Sequence, residues 1–264
     1  MRNSVKKKIA EGGHAIGTFF ELGGCIAAQC LGIAGLDFFI IDTEHGPFDV
    51  ESALVAVTAA EKRGVTPFVR IKDASRASVL KMLDIGAMGL VVPCIQTVRE
   101  VEQLVEYAKY YPLGRRGFAP TLANGYCFEG YAQNMEEYFS LSNRETLLIP
   151  QCETVGCLEN IETIAAMEGV DGIFIGPYDL SIALGVPGKM DSPTLVEAID
   201  YVVNVCKANQ KITMIYANTP AATAEHIKNG IDCVACGMDS VFLVNAIKDM
   251  VASVHSFGGR PSES

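Results

Sequence analysis

Eight short runs rich in Phe, Ile, Leu and Val recur along this 264-residue chain, each followed by a stretch whose apolar positions fall at helical spacing. They cover residues 15–20, 38–42, 67–71, 89–93, 147–153, 172–176, 212–217 and 233–237. Runs such as FFII and GLVV are almost unbroken in apolar residues rather than alternating, the pattern of parallel strands covered by helices on both faces. Eight such units predict a closed (β/α)8 TIM barrel of the α/β class, formed as a single domain over residues 1–264, rather than an open doubly wound sheet. The length agrees, since such barrels run to roughly 250 residues. The segments 50–62 and 97–109 carry Glu, Lys and Arg between their apolar positions, as helices of an outer ring do.

Two connections interrupt this period. Residues 110–145 are rich in Gly, Tyr, Asn and Pro, and residues 186–193 carry two Pro and a Gly. Segments as long as the first are lids or binding elements, or hold helices of their own. The second is expected to extend the sixth loop over the barrel mouth.

Charge narrows the partners. Thirty-one acidic residues against 21 basic ones leave a net charge of −10, a field that repels phosphate backbones and anionic lipid, so neither nucleic acid nor membrane is expected as a partner. Charged residues interrupt every apolar stretch before it reaches the roughly 18 residues a membrane helix needs. Lys6, Lys7 and Lys8 are followed by Glu11, Gly12, Gly13 and His14 where the apolar core of an export signal would stand, which points to a cytoplasmic protein. In that setting most of the nine cysteines read as small buried hydrophobes. Cys233 and Cys236 form the one C-x-x-C, but on a strand they fall on opposite faces, unsuited to chelation.

In such a barrel all eight loops after the strands open on one face, so polar residues at the strand ends gather there. The runs deliver Glu21, then Asp42, Glu44 and His45, then Arg70, Gln151, Glu153, Asp179 and Asn218. Glu153 and Asp179, from neighbouring strands, suit a hard divalent cation such as Mg2+, Mn2+ or Co2+ that keeps positions for water and substrate. Each could instead cap the helix that follows it. Arg70 needs an anionic partner or ligand, since an unpaired buried guanidinium is costly, and a salt bridge to Asp42 or Glu44 is the alternative use. His45 stands three residues after Asp42, within reach of a carboxylate that would orient its ring as an acid–base group. No lysine lies inside any of the eight runs, and Lys72 is the nearest, which disfavours Schiff-base chemistry. No G-x-G-x-x-G follows the first run, which disfavours a dinucleotide.

DFFIIDTEHGPFD from Asp37, PFVRI from Pro67, LDIGAMGLVVP from Leu83, YPLGRRG from Tyr111, QCET from Gln151 and GVDGIFIGPYDLSIALGVPG from Gly169 together resemble the class II, metal-dependent pyruvate aldolases. That family is related to the citrate lyase beta chain. The resemblance implies reversible aldol cleavage of a 4-hydroxy-2-oxo acid to pyruvate and an aldehyde. It implies metal binding by Glu153 and Asp179, contact of Arg70 with pyruvate and its enolate, and proton transfer assisted by Asp42 and His45. Gln151, Gly176, Pro177 and Tyr178 then line the substrate site. It also implies a homo-oligomer, a hexamer built as a trimer of dimers that exchange C-terminal helices. The family's usual residue at Tyr178 is small, and residues 119–144 match their family counterpart poorly, both of which bear on the aldehyde. A CoA-ester lyase of the citrate or malyl-CoA type and a catalytically silent barrel subunit are the competing expectations.

Overall fold

The computed structural model describes residues 2–258. Eight parallel strands close on themselves in sequence order: β1 (Ala15–Phe20), β2 (Phe38–Asp42), β3 (Thr66–Arg70), β4 (Gly89–Val92), β5 (Leu147–Cys152), β6 (Gly172–Ile175), β7 (Ile212–Ala217) and β8 (Cys233–Met238), with β8 paired back to β1. The expected (β/α)8 barrel is therefore the observed fold. Strand bounds differ from the sequence reading by at most a residue at either end. Glu153 and Gly176 fall just past their strands, where the backbone leaves the ladder to form the mouth.

Two apolar layers follow from the two faces of each strand. Phe38 and Ile40, Phe68, Val91, Leu147 and Ile149, Phe174, Met214, Cys233 and Ala235 fill the barrel interior. Phe39, Ile41, Val69, Leu90, Val92, Leu148, Ile173, Ile175, Ile215 and Val234 face outward and meet the helices. The interior layer ends below the mouth, and its parity carries upward: two residues beyond Ile40, Phe68, Ile149, Phe174 and Met214 come Asp42, Arg70, Gln151, Gly176 and Tyr216. Side chains two apart on a strand share a face, so the interior register itself aims these positions into the barrel's open end.

The other end is closed. A helix, Ser4–Ala10, capped by Asn3, presses Val5 and Ile9 against the interior layer. Asn3 also donates to the carbonyls of Met88 and Glu145, and the Ser4 and Thr66 hydroxyls lie 2.7 Å apart, which ties the helix across the strand starts.

Residues 110–145 connect a helix, Val98–Ala108, to β5, so they lie at this closed end and do not form a lid over their own barrel mouth. They hold two 3₁₀ turns and a helix, Met135–Glu145, built on a small aromatic cluster of Tyr110, Phe118, Tyr138 and Phe139. Arg116, buried there, pairs with Asp84 at 2.8 Å and stacks 4.7 Å above the Tyr110 ring. Helical structure of its own, one of the two expectations, is what the segment has. Residues 186–193 are likewise drawn onto the scaffold, with Gly188 N–H donating to Ser181 and Val186 and Met190 packed on the outer layer.

All nine cysteines are free thiols, and Cys233 and Cys236 are both buried. No helix among the described residues is long and apolar enough to cross a membrane.

Candidate active site

The mouth encloses a cavity of about 240 Å³ lined by Phe19, His45, Arg70, Gln151, Phe174, Gly176, Pro177, Tyr178, Asp179, Tyr216 and Met238. His45, Arg70, Gln151, Gly176, Pro177, Tyr178 and Asp179 are thus brought together as the sequence suggested. Asp42 and Glu153 stand directly behind the lining.

Asp42 is fully buried and grips Arg70 with both oxygens, Nε donating at 2.9 Å and Nη2 at 2.5 Å. Glu44 adds a second carboxylate 3.3 Å from Nε, and the guanidinium lies 4.7 Å above the Phe19 ring. Burial alone would make the guanidinium easier to deprotonate, but Asp42, Glu44 and Glu153 outweigh it and raise its pKa. Both the salt bridge and the aim into the cavity are therefore realised, because Asp42 occupies Nε and one Nη2 hydrogen while Nη1 has no protein acceptor among the described residues. The expectation that Asp42 orients the His45 ring is corrected by the same geometry. Asp42 Oδ1 instead accepts the backbone N–H groups of Glu44 and His45, at 3.1 and 3.3 Å, which bends the D-T-E-H turn. The His45 side chain projects free into the cavity rim, near enough to Glu44 to favour that carboxylate's ionised form.

Helix capping does not account for the two acids. The helix Val155–Glu159 is capped by Thr154, and the helix Pro177–Ala183 starts from Gly176 with Pro177 in its first turn and no side-chain cap. Glu153 is buried and accepts the Cys94 N–H at 2.6 Å and the Gln151 amide on its other oxygen. Burial raises its pKa most, and Asp179 and Glu44 raise it further, against the opposing pull of Cys94 N–H and Arg70. Asp179 is exposed and makes no hydrogen bond or ion pair with the described residues. Gln151 Oε1 is buried without a partner. A Cβ at Gly176 would come within 2.9 Å of both Gln151 Nε2 and Glu153 Oε2, so only glycine leaves this hollow open.

A desolvated carboxylate crowded by two others, an orphaned amide oxygen and a hollow kept clear of side chain make a place that a small cation fits. Among the described residues no group of three or more His, Cys, Asp and Glu is arranged to hold a metal. A cation here would take two carboxylates from the protein and the rest of its shell from water or substrate.

Cys94, Phe19, Phe174, Tyr216 and Met238 were not singled out from sequence. Tyr216 and Phe19 follow from the interior parity, but nothing in VVPCIQT signals Cys94, whose role rests on a left-handed backbone (φ +58°) that turns its N–H onto Glu153. Its thiol, pushed up to about 11 by burial and then by Glu153 and Glu44, stays protonated and sits 3.8 Å from a Glu44 oxygen.

The profile of the HpcH/HpaI aldolase/citrate lyase family matches residues 16–246. A hydroxypyruvate/pyruvate aldolase of Cupriavidus necator is 30% identical over 99% of this chain and 95% of its own length. A 5-keto-4-deoxy-D-glucarate aldolase of Escherichia coli is 32% identical over 90% of this chain and 91% of its own. The crystal structure of an HpcH/HpaI aldolase from Desulfitobacterium hafniense superposes with a TM-score of 0.89 at 28% identity, covering 98% of each chain. With a closed barrel whose mouth collects an arginine, an imidazole and paired carboxylates, the chain belongs to the HpcH/HpaI aldolase/citrate lyase family and is a carbon–carbon lyase of the aldolase type.

Proposed function

We propose that the enzyme cleaves a 4-hydroxy-2-oxo acid reversibly to pyruvate and an aldehyde, with Glu153 and Asp179 holding a divalent cation, Mg2+, Mn2+ or Co2+. The observation that carries this is Glu153, held against its own ionisation by burial first and then by Asp179 and Glu44, with the Gln151 side chain beside it keeping an unpartnered amide oxygen. A cation bound there supplies Lewis acidity toward the 2-keto oxygen. Arg70, pinned by Asp42, points its free Nη1 hydrogens at the charge that gathers on that oxygen as the enolate forms. His45 takes the proton of the 4-hydroxyl, the C3–C4 bond breaks, and its electron pair moves into the enolate as the aldehyde leaves. Protonation at C3 then gives pyruvate. Asp42 contributes by holding Arg70 rather than by handling protons. Gln151, Gly176 and Pro177 shape the pyruvate end, and Gly176 admits it by lacking a side chain.

The assembly belongs to the same proposal. In the C-terminal helix, Asp239–Gly258, every residue from Val241 to Phe257 is exposed, among them Phe242, Leu243, Ile247, Met250, Val254 and Phe257. A solvated apolar helix of this length supports exchange between subunits in a homo-oligomer, for which we propose a hexamer made as a trimer of dimers. We place the enzyme in the cytoplasm, on its cysteine use.

Enolate formation needs no aldehyde, so the proposal is testable on pyruvate alone. Pyruvate in D2O is expected to exchange its methyl protons with enzyme and a divalent cation, and EDTA is expected to stop the exchange, as NMR would record. Cleavage by His45→Ala is expected to fall by about 10²- to 10⁴-fold. Exchange that persists in EDTA and trapping on pyruvate by borohydride would indicate a lysine mechanism instead. No exchange with any cation would refute the pyruvate reading.

A further inference from the structure

Cys152 on β5, Ile175 on β6 and Ile215 on β7 lie in one paired row across three adjacent strands. One residue further along each strand the row reads Glu153, Gly176 and Tyr216, and all three have the parity of the interior layer built by Ile149, Phe174 and Met214. Neighbouring strands stand about 4.8 Å apart, so Glu153 and Tyr216 flank the side-chain-free position of Gly176 across a span of about 10 Å. The hollow at Gly176, given above to the pyruvate end, therefore has a carboxylate on one side and a phenol on the other. Tyr216 lines the same cavity as Arg70 and Gln151.

The Tyr216 ring is fixed between two others, 5.9 Å edge-on from Phe19 and 5.9 Å from Tyr178. Its hydroxyl makes no hydrogen bond with the described residues, so its hydrogen is uncommitted. Burial first, and then Tyr178, Cys236 and Glu21, push the phenol above its ordinary value, which keeps that hydrogen in place. The proposed reaction has a use for it, because C–C cleavage leaves an enolate that must be protonated at C3. The other polar groups lining the cavity are occupied or unsuited. Arg70 holds its protons the more firmly for its three carboxylates, Gln151 is an amide, Asp179 is assigned to the cation, and His45 serves the 4-hydroxyl. Tyr178 lies outside the row, on the helix Pro177–Ala183, and its oxygen accepts from Asn218 Nδ2 at 3.0 Å.

We infer that Tyr216 is a further catalytic residue, the acid that protonates C3 of the enolate in cleavage and, as phenolate, the base that removes a methyl proton from pyruvate in condensation. The inference rests on the pyruvate reading above. The oxygens that pyruvate can offer a cation lie at one end of the molecule and its methyl carbon at the other. A pyruvate turned to Glu153 thus presents C3 across Gly176 to Tyr216. The C2–C3 electron pair of the enolate takes the phenol hydrogen, the O–H bond breaks as the C3–H bond forms, and the keto group is restored. The phenolate recovers a proton from water, and His45 returns to water the one it took from the 4-hydroxyl, so cleavage neither consumes nor releases a proton overall.

The test is exchange of pyruvate methyl protons in D2O with Mn2+, which needs no aldehyde, run on wild-type enzyme, Tyr216→Phe and His45→Ala. Phenylalanine keeps the ring and its edge contacts and removes the hydroxyl alone. The kcat of exchange in Tyr216→Phe is expected to fall by about 10²-fold or more. Its KM for pyruvate and its Mn2+ affinity, measured by titration, should stay within about threefold of wild type, since a group that acts only in the transition state leaves ground-state binding alone. A residue that merely shaped the hollow would move KM and Mn2+ affinity along with kcat, and that result overturns the inference. Exchange kept in Tyr216→Phe and lost in His45→Ala also overturns it, by giving both proton transfers to the imidazole. Either outcome leaves the pyruvate reading standing, because wild-type enzyme still exchanges. Absence of exchange in wild type overturns the pyruvate reading and this inference with it.

Discussion

Glu153→Gln is expected to abolish turnover, by at least about 10³-fold, while making the metal-free protein more stable. The carboxylate is buried and its pKa is raised, by burial first and then by Asp179 and Glu44, so ionised Glu153 costs the folded state free energy. An acid whose folded pKa lies above its unfolded value weakens the fold from the pH at which the unfolded chain begins to release that proton. The cost is absent below the ordinary carboxylate range, grows between that range and the elevated folded pKa, and is fully present above it. In Glu153→Gln that cost vanishes at every pH. The new amide can still accept the Cys94 N–H, and Gln151 can turn its orphaned oxygen to meet the new donor. Thermal unfolding in EDTA across pH 4–8, a window of about that width, should show the variant melting above wild type by a margin that widens toward neutral pH. Titration with Mn2+ should show lost binding. A variant that melts lower at neutral pH with unchanged Mn2+ affinity would mean that Glu153 serves the fold and not the cation. Stability exchanged for function in this way is usual where a site must stay charged and empty until its ligand arrives.

Arg70→Lys should lower kcat/KM by about 10²- to 10³-fold, the loss typical of removing one donor aimed at developing negative charge. In the proposed reaction the residue serves two groups at once through a planar fork, with Nε and Nη2 on Asp42 and Nη1 toward substrate. A single ammonium on a flexible stem cannot span both. Lysine would follow the fully buried Asp42, since leaving that carboxylate alone costs more than abandoning the cavity. Arg70→Ala, which does leave it alone, is expected to destabilise by about 3–5 kcal/mol. Denaturant unfolding and steady-state kinetics of the two variants separate the roles. Near-native kcat/KM in Arg70→Lys would remove the guanidinium from the chemistry.

Local pattern made the barrel legible. Continuous apolar strands and amphipathic helices repeat eight times, and the polar residues that end those runs, Arg70 and Gln151 among them, stand out against the apolar pattern. The interior parity identifies Tyr216, two residues past Met214, although an aromatic at the end of an apolar run does not advertise a site. Cys94 was beyond reach, because its contribution is a backbone N–H turned by a left-handed dihedral that no side-chain type encodes. The Asp42–His45 pairing failed for a related reason. Closeness in sequence suggested a side-chain contact, but the turn between them uses that carboxylate for backbone N–H groups, and a residue 28 positions away takes both of its oxygens. Loop length, which is visible in a sequence, leaves residues 110–145 open to a lid or to helices of their own, whereas the end of the barrel they belong to follows from counting strands. A connection that leaves a helix and enters a strand lies at the closed end.

That closed end constrains the traffic of molecules. With Val5 and Ile9 stoppering the interior and Asn3 lashing the stopper down, the barrel is a blind well whose two reactants share one doorway. Arg70 and Gln151 stand at the strand ends, and Tyr178 and Asn218 stand at the rim, so whatever occupies the outer position bars the exit of whatever lies within. On the proposed reaction, departure is expected to be sequential, aldehyde first and pyruvate last, with condensation running the queue in reverse. Product inhibition of cleavage should show it, with pyruvate competitive against the 4-hydroxy-2-oxo acid and the aldehyde noncompetitive, and competitive inhibition by both would mean that the doorway admits them in either order.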